Sequence, residues 1–196
     1  TERRMSHVFV MDIPTYPRLL LISDAAINIY PNLDDKKDIV QNAIDLALNI
    51  GISLPKVAIL SAVESVSSKI QSTLDAAALC KMADRGQIKG GILDGPLAFD
   101  NAVSKEAAKI KGITSPVAGK ADVIITPDLE SGNLLVKQLE YLNEAQSAGI
   151  VLGAKVPIIL TSRSDKPITR LASSALAVTL IYKMFSLKAK EMKVEL

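Results

Sequence analysis

Thr161, Ser162, Arg163, Ser164 and Asp165 follow directly on the apolar run "VPIIL", so one short stretch presents hydroxyls, a guanidinium and a carboxylate. A planar guanidinium donates two parallel hydrogen bonds to a phosphate or carboxylate. A serine hydroxyl can orient a second group, and a carboxylate within reach can take a proton. Together these are the parts of an anion site at which a proton moves. The same residues have ordinary uses as well. Ser and Asp form turns, and Asp165 ahead of Lys166 and Pro167 makes a good N-cap for a following helix.

The other apolar runs are followed by polar residues in the same way: Ser23 and Asp24, Ser61 and Glu64, Asp94, then Asp128 and Glu130. If the runs are parallel strands, all these residues sit on the carboxyl edge of one sheet. Loops diverge there and helix N-termini offer free N–H groups, so ligands bind there. Residues 161–165 are then expected at the lip of a crevice, just before the last helix.

Other chemistry is harder to build. "GITSPVAGKAD" looks like a phosphate loop, but six residues separate Gly112 from Gly119 where four are needed, and Ala121 replaces the magnesium-holding Ser or Thr. His7 is the single histidine and lies in an alternating run, which favours a packed side chain over a triad member. Cys80 sits in "AALCKMA", where it reads as a small buried hydrophobe. Arg3 and Arg4 read as solvated charges near the start. No spacing suits a metal site.

The elements that must position these residues alternate. "HVFVMDI", "RLLLIS", "KVAILSA", "GGILD", "ADVIITPD" and "VPIILTS" read as strands. Leu33 to Ile50 carries Ile39, Val40, Ala43, Ile44, Ala47 and Ile50 on one stripe, with Asn32 as N-cap and Gly51 beyond the end. Further helices are expected over 73–85, 99–111 and 132–145, and a long one over 167–193. The first two strands, joined by "PTYPR", form an antiparallel hairpin. The last four alternate with helices and have apolar centres, which implies a mostly parallel sheet covered on both faces, a three-layer αβα architecture.

The chain has 196 residues, 48% of them hydrophobic, enough for one sizeable core or two small lobes. Basic residues number 23 against 21 acidic, and a net charge of +2 gives no argument for a nucleic acid or a membrane surface. One cysteine cannot form an internal disulfide, so a reducing cytoplasm is expected. No apolar run reaches the roughly 18 residues of a membrane helix.

"LLISDAAIN", "AILSAVE", "DGPLAFDNAVSKEAA", "SPVAGKADVIITPDLESGN" and "VPIILTSRSD" resemble, in order, the strings of the phosphate acetyl/butyryltransferase family. The first and last of these resemble the butyryl branch more than the acetyl branch. The resemblance runs from about Ser6 to the last helix. It implies transfer of a butyryl or similar short acyl group between coenzyme A and phosphate, the CoA thiolate attacking an acyl phosphate. Coenzyme A is then a substrate, with no bound cofactor, no metal, and neither nucleic acid nor membrane as partner. It also implies a fold similar to isocitrate and isopropylmalate dehydrogenases, with two lobes around a cleft, and a homodimer.

By the same resemblance Arg163 grips phosphoryl oxygens and Ser162 orients the thiol or carbonyl. The family's acetyl-branch base lies seven residues past the serine, where this chain has Thr169, so Asp165 is the substitute. Asp94, Ser115, Lys120, Glu130 and Asn133, drawn from the matching strings, are expected to bind the substrates. Relatives carry a further N-terminal portion. On this view 1–155 form a central lobe following that portion, and 156–196 a strand and long helix returning to the first lobe. A non-catalytic CoA- or acyl-phosphate-binding module is one alternative. A metal-dependent dehydrogenase of similar fold is another, weakened by the lack of a recognisable set of metal-binding carboxylates.

Overall fold

The computed structural model describes residues 3–194, with side chains through 183 and at 185 and 186. Seven strands form one sheet: β1 (Ser6–Asp12), β2 (Leu20–Ser23), β3 (Lys56–Leu60), β4 (Ile92–Leu97), β5 (Val123–Ile125), β6 (Gln146–Leu152) and β7 (Ile158–Ile159). Their spatial order is β4-β3-β5-β2-β1-β6-β7. β4, β3, β5 and β2 are parallel neighbours, while β2/β1, β1/β6 and β6/β7 pair antiparallel. The expected parallel sheet is therefore the half that runs from β4 to β2.

The helices are α1 (Leu33–Asn49), α2 (Gln71–Asp84), α3 (Phe99–Val103), α4 (Lys105–Ile110), α5 (Leu129–Leu142) and α6 (Pro167–Val194). Alternation along the strands decides which faces they cover. Val8, Leu21, Val57, Ile59, Val123, Ile125 and Ile150 meet α1, α2 and α6 in one cluster. The intervening residues, including Met11, Ile22, Ala58, Leu60 and Ile124, meet α3, α4 and α5 in another. The three layers expected from the sequence are present.

Local chemistry sets the helix ends. Asn32 accepts the Asp35 N–H while the Asp35 carboxylate accepts the Asn32 N–H, a full capping box. The helix expected over 99–111 is two: Ser104 is extended and its Oγ accepts the Ala107 N–H, which restarts the chain as α4. A buried ion pair, Lys36 Nζ to Asp75 Oδ2 at 2.7 Å, joins α1 to α2.

The run "VPIILTS" departs most from expectation. It is not a buried parallel strand: β7 has two residues, lies at the sheet edge, and leaves Ile158, Ile159 and Leu160 exposed. β6 is not expected from sequence, because Ser147, Ala148 and Gly149 thin out its β-branched character. Only residues 153–157 link β6 to β7, and a parallel crossover takes about a dozen residues or more, so the pair must be a hairpin. Gly153 turns it with φ +85°, and a Cβ there would strike the Arg4 carbonyl.

No helix among the described residues is long and apolar enough to cross a membrane.

Candidate functional site

Strand direction now sorts the candidate residues. β2, β3 and β5 end on one edge of the sheet, and Asp24, Ser61 and Asp128 follow there. β7 runs against β6, and β6 runs with β2, so the chain leaves β7 at the opposite edge. Ser162, Arg163 and Asp165 therefore stand beside the start of β6, near Gln146, and not with the carboxyl-edge residues. The expectation that every polar cluster shares one edge fails because it required β7 to be parallel.

Most carboxyl-edge residues are occupied by the fold. Asp24 is buried; its Oδ1 accepts the N–H groups of Ala26 and Ile27, and its Oδ2 those of Asn28 and His7 and the Asn28 side-chain amide. Asp128 caps α5 through the Ser131 N–H at 2.8 Å. Glu130, in the first turn of α5, meets the Tyr30 hydroxyl at 3.4 Å, and Asn133 donates its amide to the Ala25 carbonyl at 3.2 Å. These two share one neighbourhood. Glu64 instead pairs with Lys111, which also binds Asp100; that contact pulls the Asp100 carboxyl below its usual range.

Asp94 lies inside β4, not after it, and its Oδ1 accepts the neighbouring Gly95 N–H. Ser115 organises its own loop, its Oγ accepting from Val117 and Ala118. Lys120 precedes β5, on the amino side. There the Arg18 guanidinium donates to the Lys120 carbonyl and pairs with Asp122 at 3.1 Å. The Tyr16 hydroxyl donates to the Ala121 carbonyl at 2.7 Å, and burial raises its pKa. Sequence reasoning passed over Arg18 and Tyr16; their place in the "PTYPR" connection, just ahead of β2, was the available signal.

The 160–165 loop is the most open cluster. Arg163 is exposed, and its guanidinium forms no ion pair with any described residue. Ser162 donates its N–H to Asp165 Oδ2 at 2.7 Å, and its Oγ stands 3.0 Å from the Ser164 Oγ. Asp165 thus closes the loop on itself and does not cap α6. Its other oxygen has no partner among the described residues. Ser164, Asp165 and Lys166 line one side of a groove of about 540 Å³ whose other wall includes Glu140, Tyr141 and Ser147. The amino end of α6 adds a positive dipole next to the loop. Such a cluster can hold an oxyanion on the guanidinium and direct a hydroxyl or carboxylate toward it.

The profile of the phosphate acetyl/butaryl transferase family matches residues 1–178. The chain belongs to that family. Over 177 residues it is 65% identical to a phosphate acetyltransferase of Rhizobium meliloti, covering 90% of this chain and 56% of that protein. A phosphate butyryltransferase of Clostridium acetobutylicum is 50% identical over 177 residues, 90% of this chain and 59% of its own length. Among solved structures, a branched-chain phosphotransacylase from Enterococcus faecalis V583 superposes with a TM-score of 0.83 at 34% identity, covering 91% of this chain and 64% of that one. The chain spans little more than half the length of the curated relatives it matches. The family match includes the whole 160–165 loop.

Proposed function

We propose that the protein carrying this chain transfers a short acyl group, butyryl or similar, between coenzyme A and phosphate. In the phosphate-forming direction the CoA thiolate attacks the carbonyl carbon of an acyl phosphate. The C–S bond forms, the C–O bond to phosphate breaks, and inorganic phosphate departs with the electron pair. Arg163 holds the phosphoryl oxygens and meets the charge that grows on them, Ser162 orients the carbonyl or thiol by a hydrogen bond, and Asp165 accepts the thiol proton. Asp94, Ser115, Lys120, Glu130 and Asn133 contribute to holding the substrates, with Glu130 and Asn133 as one group. The observation that carries this reading is Arg163, exposed and without an ion pair among the described residues, inside a string that the family match covers.

Two lobes around a cleft, similar to isocitrate and isopropylmalate dehydrogenases, complete the proposal, together with a homodimer in the cytoplasm and no bound cofactor. Along α6, Ile168, Leu171, Ala175, Val178, Tyr182 and Phe185 recur at alternating steps of three and four and are exposed. That spacing is a seam for another helix. We assign it, with the exposed side of β7, to the part of the relatives that this chain does not span, so that 156–196 return to a first lobe while 1–155 form the central one.

The test is release of free thiol from acetyl-CoA and butyryl-CoA with and without phosphate or arsenate. Phosphate-dependent release is expected. A full-length protein that releases none with either acyl chain contradicts the proposal.

A further inference from the structure

His7 stands in β1, two strands away from β7, yet its Nε2 lies 3.2 Å from the carbonyl oxygen of Leu160. A carbonyl only accepts, so Nε2 carries the hydrogen and Nδ1 the lone pair. Nδ1 is buried with no partner among the described residues, and the residue as a whole is 1% exposed. The strand between them makes the contact possible. β6 places Gly149 under the imidazole, and a Cβ there would stand 2.7 Å from His7 Nε2 and 2.8 Å from the Leu160 oxygen. Any side chain at 149 would wedge the bond apart.

A second tether reaches the same glycine from the other side of the loop. The Gly149 N–H donates to Ser173 Oγ at 2.9 Å, and the Ser173 hydroxyl donates to the Thr169 carbonyl at 2.8 Å. Ser173 is fully buried in α6. The segment from Leu160 to Ser173 is therefore held at one end on His7 of β1 and at the other on Gly149 of β6. Between those ends the hydrogen bonds among the described residues stay within the segment, among them Ser162 N–H to Asp165, the Ser162 and Ser164 hydroxyls, and the Arg170 guanidinium to the Arg163 carbonyl. Nothing described pairs with the Arg163 side chain, so the backbone alone sets where its guanidinium begins.

We propose that His7 is a positioning residue: its Nε2–H, passing over the bare Cα of Gly149, fixes the Leu160 carbonyl and with it the stand of Ser162 and Arg163. This rests on the acyl-transfer reading only for its effect on rate. Displacing a reacting group by about 1 Å can cost on the order of a hundredfold in turnover, whereas one backbone contact adds little to global stability.

Three variants of the protein that carries this chain test it. His7→Leu removes the donor, His7→Gln keeps a side-chain amide N–H for Leu160, and Gly149→Ala pushes the partners apart from the middle. Trypsin cleavage after the exposed Arg163, followed by mass spectrometry under native conditions, reports loop anchoring without reference to activity. Loss of one hydrogen bond is expected to speed that cleavage roughly three- to tenfold in His7→Leu and Gly149→Ala, with His7→Gln near the wild-type rate. Where thiol release is active, kcat should fall about tenfold or more in the same two variants, while KM for CoA stays within twofold (~) of wild type and His7→Gln recovers most of the loss. Wild-type cleavage rates in both His7→Leu and Gly149→Ala overturn the inference, and so does a His7→Gln protein that behaves like His7→Leu. An inactive wild type refutes the acyl-transfer reading and leaves the cleavage pattern to decide this one. Should His7→Leu fail to fold, His7→Gln against Gly149→Ala supplies the same contrast.

Discussion

At the scale of single residues, His7 is where burial and charge compete most openly. Burial lowers its pKa from the ordinary 6.5, while the Leu160 carbonyl and the carboxylates of Asp24 and Asp165 pull the other way without prevailing. The sign of the consequence is fixed. As pH falls through 6.5 the unfolded chain takes up a proton that folded His7 refuses, so stability present above that pH is lost as the pH drops toward the lowered value. Urea unfolding at pH 7.5 and 5.5 should show wild type losing stability relative to His7→Gln, by at most about 1.4 kcal/mol per pH unit. A constant difference across that range removes the titration from His7. Cys80 gives the opposite lesson. Burial first, then Asp94 and Asp84, push its thiol up to about 12, so it stays protonated and unreactive, in keeping with its helical, apolar string.

At the scale of elements, the Lys36–Asp75 pair ties α1 to α2 with side chains only 7% and 10% exposed. Gln71 Nε2 donates to the other Asp75 oxygen at 2.8 Å, so the carboxylate is satisfied on both sides. Lys36→Met leaves Asp75 buried and uncompensated, and a loss of about 3–5 kcal/mol is expected by chemical denaturation. Lys36→Met with Asp75→Leu should recover most of it. A single variant within about 0.5 kcal/mol of wild type contradicts a buried, strongly coupled pair. α1 is legible from sequence because Asn32 caps it and an apolar stripe repeats every 3.6 residues, whereas α5 begins at Leu129, ahead of the expected 132, because Asp128, read as a site residue, is its N-cap. The parallel half of the sheet was legible too, since Val57–Leu60 and Val123–Ile125 are unbroken apolar runs. β6 was not, because its Ser147, Ala148 and Gly149 carry little strand signal. Gly149 is small because His7 and Leu160 meet above it, a three-strand relation that no local pattern records. Missing β6 then put β7 in the wrong direction and moved Ser162 and Arg163 to the wrong edge.

At the scale of the molecule, polar residues gather at both edges of the sheet. On one, Asp24 organises the 24–28 turn and Glu130 and Asn133 sit beside it. On the other, a loop tethered at both ends carries a guanidinium with no ion pair among the described residues, beside a groove and the amino end of a 28-residue helix. The family match, the exposed seam of α6 and the length of the relatives all bear on that second edge. On the proposed function Arg163 is the phosphate grip. The direct measurement is phosphate-dependent thiol release by Arg163→Ala against wild type, with melting temperature as the folding control. A fall in kcat of about a hundredfold or more at an unchanged melting temperature is the predicted result. A variant that turns over at the wild-type rate, with the same dependence on phosphate, contradicts it.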